Sequence, residues 1–194
     1  MFGKSKTGHG MNGRLGTEPA ARSTRAGRLS AAAVAALMLS AAPALADSPK
    51  LIGTFSDWSA FQMVTDNQTI CFVASEPTNQ TLSRPNASRG NVYFLITNWV
   101  DRSIRNEPSL VIGYPQKEGS RTVVEIGSDK FEMFTQGDGA WFADPETERK
   151  VVQAMKRGAS MRVSGISSRD TRSTDTYSLK GISAAIDKID ETCK

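Results

Sequence analysis

The run Asn91-Val92-Tyr93-Phe94-Leu95-Ile96-Thr97-Asn98-Trp99 decides the fold of this 194-residue chain. It is short, nearly all apolar, and dense in β-branched and aromatic residues. Such a run reads as a strand buried on both faces or central to a sheet. Upstream, Leu51–Val64 carries Trp58 and Phe61 and ends at the turn-like Asp66-Asn67. Thr69–Ser75 then reads as the returning strand of a hairpin. Between that hairpin and the deciding run, Glu76–Gly90 is polar and broken by prolines, which predicts a surface loop. Downstream, Ser109–Tyr114, Arg121–Ile126 and Lys130–Thr135 are further strands, the last two joined through Gly127-Ser128-Asp129. Ser160–Ser168 and Ser173–Lys180 form another pair.

Two segments carry helical spacing instead. Asp144 is a natural N-cap, and Pro145 suits the first helical position, where its missing N–H costs nothing. Val151, Val152 and Met155 fall on one face, Lys156 and Arg157 suit the negative end of the helix dipole, and Gly158 ends the helix. The second helix runs from about Ser183 to Thr192. Ile182, Ala185, Ile186, Ile189 and Cys193 follow one another at helical intervals and form a single buried stripe. The expected fold is therefore mostly β: an antiparallel β-sandwich or barrel-like sheet with about two short α-helices.

Cys193 continues that stripe and so points at the core, where Cys71 of the Thr69–Ser75 strand could meet it. These are the two cysteines of the chain. In an exported protein an even pair reads as a disulfide; the alternative is two separate buried thiols. Neither belongs to a Cys-x-x-Cys pair, so no redox role is assigned.

Export is expected from the N-terminal segment. Lys4, Lys6, Arg14, Arg22, Arg25 and Arg28 precede an apolar run from Leu29 to Ala42, too short to span a bilayer as a helix, which takes roughly 20 residues. Ala44-Leu45-Ala46 is the small-x-small pattern of a signal peptidase site, which puts cleavage between Ala46 and Asp47. Residues 1–46 are read as a signal peptide for the general secretory route, with Met1 or Met11 as the start. Residues 47–194 are read as one domain, periplasmic or at the outer surface, with no later membrane span.

Removing the signal changes the charge. The whole chain has a net charge of +4, but six of its 24 basic and one of its 20 acidic residues precede Asp47. That leaves 18 against 19, interspersed, with no basic stripe to neutralise phosphates, and nucleic acid is not expected as a partner. The one histidine, His9, also leaves with the signal. Ser-His-Asp catalysis, His-ligated zinc and the commonest general base at neutral pH leave with it. Gly181-Ile182-Ser183-Ala184-Ala185 lacks the second glycine of a nucleophile elbow. No catalytic, cofactor-binding or metal-ligating residue is assigned. Gly137-Asp138-Gly139, before Trp141, is the candidate interaction loop, because its glycines permit close approach and Asp138 offers a ligand. The competing reading is a tight turn into a buried Trp141. Trp58, Tyr93, Trp99 and Tyr114 are expected in the core; an exposed cluster of them would instead mark a binding face.

Several segments carry a family resemblance. They are Gly53–Ala60, Cys71–Ser75, Gly90–Tyr93, Gly113–Ser120, Phe134–Trp141 and Thr174–Gly181, and in them the chain resembles the invasion-associated locus B family. The resemblance implies a small exported protein of alphaproteobacteria, in a family whose namesake is implicated in entry into host cells. It brings no catalytic residues to transfer. The chain departs from the namesake's branch, which carries extra cysteines in its C-terminal half. The function expected is a non-catalytic binding or interaction protein with an unidentified protein or envelope partner, linked through the family to host-cell interaction. A structural protein that maintains the envelope and a hydrolase working with carboxylates alone are the alternatives.

Overall fold

The computed structural model describes residues 48–65 and 68–194. The expected signal segment, its Ala46–Asp47 junction and the Asp66-Asn67 turn lie outside the described residues. Eleven strands form one antiparallel sheet. They are β1 (Lys50–Phe55), β2 (Trp58–Val64), β3 (Thr69–Ser75), β4 (Asn79–Leu82), β5 (Tyr93–Trp99), β6 (Ile104–Val111), β7 (Arg121–Ile126), β8 (Asp129–Gln136), β9 (Gly139–Trp141), β10 (Ser160–Ile166) and β11 (Arg172–Ser178). Helix α1 (Pro145–Arg157) follows β9, and α2 (Ile182–Thr192) ends the chain. The strand order is β1-β2-β3-β5-β6-β9-β8-β7-β10-β11-β4. Strands make up 50% of the described residues and helices 19%, so the mostly-β expectation holds.

The sheet curls. β2 and β11 lie near opposite ends of the strand order, yet the Trp58 indole N–H donates to the Ser178 carbonyl at 3.0 Å. Phe94 of β5 meets Tyr177 of β11 edge to face, with centroids 5.9 Å apart. The inner face of this barrel-like curl is the core, and its side chains alternate in and out along each strand. Phe94 and Ile96 of β5, Val73 of β3, Val124 of β7 and Val163 of β10 are all fully enclosed. The deciding run is central, as expected, with β3 on one side and β6 on the other.

Both helices form where expected. The Asp144 carboxylate accepts from the Thr147 backbone N–H at 2.9 Å and from its hydroxyl at 2.8 Å, capping α1. Val151, Val152, Ala154 and Met155 are its buried face, packed over β6 and β8. The stripe Ile182, Ala185, Ile186 and Ile189 of α2 lies across β1, β2, β3 and β5. Cys193 continues it and forms a disulfide with Cys71, with Cα atoms 5.9 Å apart and both residues buried. The alternative of two separate thiols falls.

Four expectations need correction. Leu51–Val64 is two strands, because the chain turns at Ser56-Asp57, where Ser56 takes a φ of 52°. Glu76–Gly90 is not a loop throughout: Asn79–Leu82 forms β4 along the outer edge of β11. Its sequence, NQTL, has no apolar alternation, and only the free backbone groups of β11 make it a strand. The strand expected at Ser109–Tyr114 begins earlier, at Ile104. Trp141 is half-buried, because its ring lies on the outer face of β9 against Phe134, with centroids 5.9 Å apart.

Candidate functional site

The polar centre of the molecule is built on β11. Ser173, Asp175 and Tyr177 alternate inward along this strand and all are buried. A carboxylate at the middle of that alternation needs a cation, and the cation comes from Arg89, in the irregular segment after β4. The two side chains are 0% and 4% exposed. Arg89 Nη1 donates to one Asp175 oxygen at 2.8 Å, and Nη2 donates to the other. Nε and Nη2 both donate to Gln80 of β4, at 3.2 and 2.8 Å, and Nη1 also reaches the Ile112 carbonyl at 3.5 Å. All five N–H donors of the guanidinium therefore have acceptors. Arg89 is a staple, and it leaves no donor for a ligand.

Tyr114 lies beside this pair. The Arg89 guanidinium sits 6.0 Å from its ring centroid, and its hydroxyl shares a 2.6 Å hydrogen bond with Ser173. Burial pushes the phenol above its usual range, against the opposing effects of the Ser173 bond and the Arg89 charge. Tyr177 is enclosed more completely. Burial, reinforced by the Asp175 charge, raises its phenol strongly, and its hydroxyl finds no hydrogen-bond partner among the described residues.

The staple holds residues 83–90 as a strap across the surface. Ser83 N–H donates to Arg172 O at 2.9 Å at one end, and Gly90 N–H donates to Gly113 O at 2.8 Å at the other. Between the strap, the ridge Gly113-Tyr114-Pro115 and the β10–β11 turn lies a cleft of about 500 Å³. That volume is within the range of small-ligand sites, roughly 300 to 1,000 Å³. The β10–β11 turn is itself braced. Ser167 Oγ accepts from the backbone N–H of Arg169 and of Thr171, and Ser168 N–H donates to Pro115 O at 2.9 Å. Two further concavities, of about 400 and 490 Å³, adjoin the cleft. The first shares Ala87, Ser88 and Arg89 with it, and the second shares the ridge.

The candidate loop Gly137-Asp138-Gly139 borders this region. It is a tight turn joining β8 to β9, and Gly137 takes a φ of 60°. Gln116 clamps it, because its backbone N–H donates to Gly137 O at 2.8 Å and its side-chain amide to Gly139 O at 2.9 Å. Gly137 and Asp138 line the 490 Å³ concavity opposite Tyr114 and Pro115, while Gly139 is buried in β9. The loop is thus one wall of a larger depression. Of the four aromatic residues, Trp58 is enclosed, whereas Tyr93, Trp99 and Tyr114 are half-buried. Trp99 is covered by the Arg102 guanidinium, 4.7 Å from its ring centroid.

Sequence reasoning passes over Arg89 and Asp175 as site residues and expects Tyr114 in the core, whereas it is half-buried on the cleft. One signal is present: Asp175 occupies the buried phase of an alternating strand, where a carboxylate implies a partner. Which cation answers it is not a local property. A fourth concavity, of about 390 Å³, lies between α1 and β6. It is lined by Glu148, whose carboxyl is raised by burial first, then by Glu107 and Asp144. None of these four concavities is lined by two carboxylates facing each other across it. No grouping of metal-ligating side chains occurs among the described residues.

Comparison with known proteins agrees with the resemblance read from the sequence. A family model described as "Invasion associated locus B (IalB) protein" matches residues 58–190, a span that covers β2 through most of α2. No curated protein and no solved structure matches the chain significantly.

Proposed function

The chain belongs to the invasion associated locus B (IalB) family, and on that premise we propose that it works outside the cytoplasm as a binding protein without catalytic activity of its own. The compartment is supported by the buried Cys71–Cys193 disulfide, a bond that persists in oxidising surroundings. The family's description as invasion associated supports contact with a host cell as the setting.

One observation carries the binding reading. The strap, the ridge and the β10–β11 turn enclose a cleft whose buried charges are already spent on each other. Asp175 and Arg89 hold the walls in place and offer no free general base or nucleophile. Hydrolysis by paired carboxylates would need two acids facing one substrate, and the cleft has none on its lining.

A photo-crosslinking amino acid placed at Ser168, on the cleft, tests the reading in living cells. Lys150, on the exposed side of α1, serves as the control. A discrete adduct from position 168 and none from 150 is expected. Equal labelling from both, or none from either, would overturn the assignment. N-terminal sequencing of the exported material should begin at Asp47; a retained residue 1–46 segment would refute the signal reading.

A further inference from the structure

We propose that the cleft receives an acidic saccharide, with the carboxylate or phosphate of the sugar seated between Arg84 and Arg169. This rests on the binding reading above and adds the chemistry of the ligand.

Charge sets the cleft apart from the rest of the domain. Residues 47–194 are nearly balanced, with 18 basic and 19 acidic residues. The cleft departs from that balance: each charged side chain on its lining is an arginine, and no carboxylate lines it. Arg89 is neutralised by Asp175. Arg84 and Arg169 make no ion pair among the described residues, although Arg84 lies near enough to Asp170 to help hold its carboxyl below the usual range. Arg84 Nη2 donates to the Arg169 carbonyl at 3.1 Å, which holds its guanidinium beside the β10–β11 turn. Asp170, in that turn, is already engaged by Lys117 at 2.6 Å. Each of these arginines on the opening carries a donor fork that suits a carboxylate or phosphate.

The rest of the lining selects the body of the ligand. Ser88 and Ser168 offer hydroxyls, and the Tyr114 ring and Pro115 offer flat apolar surface between them. Guanidinium, hydroxyl and flat apolar faces together match a sugar acid, whose ring is apolar on its faces and whose edge is lined with hydroxyls. An acyl chain would leave the arginines unpaired. A nucleic-acid strand would need a basic track extending beyond the opening, and the balanced charge of residues 47–194 does not supply one.

The test is a titration of the processed full-length protein, followed by backbone amide resonances. Four probes are compared: trigalacturonate, glucose 6-phosphate, the neutral methyl ester of trigalacturonate, and a tri-glutamate peptide. At least one of the two acidic sugars is expected to shift the amides of Ser88 and Ser168, and the responding arm identifies carboxylate or phosphate. The methyl ester should bind the carboxylate site about tenfold more weakly. Arg84→Gln with Arg169→Gln should lose about the same factor while leaving the thermal midpoint unchanged, since both residues are exposed. Equal, non-zero shifts by ester and acid, tighter binding of tri-glutamate than of either sugar, or no response to either sugar would each overturn the proposal. If the sugars fail while position 168 still crosslinks, the ligand class is wrong and the binding reading survives. If both fail, both fall.

Discussion

Arg89 and Asp175 form a buried ion pair in which both carboxylate oxygens accept from the guanidinium, although one residue lies in an irregular strap and the other in the middle of a strand. The pair joins β11 to the segment that walls the cleft. Stability and site geometry therefore depend on the same contact.

Removing either partner should be severe. Arg89→Ala leaves Asp175 charged in the core, and Asp175→Ala leaves a buried guanidinium. Each is expected to cost about 3 to 5 kcal/mol. Replacing both with apolar residues, Arg89→Met with Asp175→Leu, should recover much of that loss, because no charge is then stranded. Urea denaturation of the two singles and the double measures the coupling. A double variant no more stable than the worse single would contradict the account.

Tyr177 should behave in the opposite way. Its hydroxyl is buried without a partner, so it contributes no hydrogen bond to lose. Tyr177→Phe is expected to leave stability unchanged or raise it by about 1 kcal/mol. A clear fall in the thermal midpoint would mean that the hydroxyl is satisfied in solution.

The disulfide closes a sequence separation of 122 residues. Replacing Cys71 and Cys193 by Ala should cost about 5 kcal/mol through the freed unfolded chain. The loss should fall first on α2, which the bond pins to β3. Hydrogen exchange should then rise in residues 182–192 before it rises in β5. Uniform exchange across the domain would show that α2 does not open independently.

The α1 cap supplies a pH dependence. The Asp144 carboxyl is held below its usual range, first by the Thr147 backbone N–H and then by the Thr147 hydroxyl. A lowered folded-state value means that the contribution is complete above the unfolded value, about 3.9. It is lost as pH falls through the lowered folded value. Asp144→Ala should therefore melt below the wild type at pH 7, and the gap should close in acid. A gap that persists undiminished in acid would assign the loss to something other than the charged cap.

Gly181 is the position where backbone shape matters most. Its φ is +87°, and a Cβ there would collide with the Phe55 carbonyl oxygen. Gly181→Ala strains the turn and lifts α2 from β1, for an expected cost of about 3 kcal/mol. Calorimetry checks it; a midpoint within about a degree of the wild type would show that the turn relaxes without loss.

Much of this protein is decided by residues close together in the chain. The stripe of α2, the Asp144 cap and the turn between β7 and β8 all depend on spacings of a few residues. Periodicity, capping and turn chemistry fix them, and each can be read directly from the amino-acid sequence. The absence of histidine after His9 is likewise a property of composition alone. The cleft is different. β4 is a strand only because β11 has an unpaired edge, and nothing in Asn79–Leu82 announces it. Arg89 finds Asp175 because β4 pairs with β11, which sets Gln80 opposite Asp175 and carries the segment after β4 past it. That pairing depends on where the whole sheet leaves the open edge of β11, far from β4 in sequence. No short window contains it, so the strap, the ridge and the two arginines meet only in the folded chain.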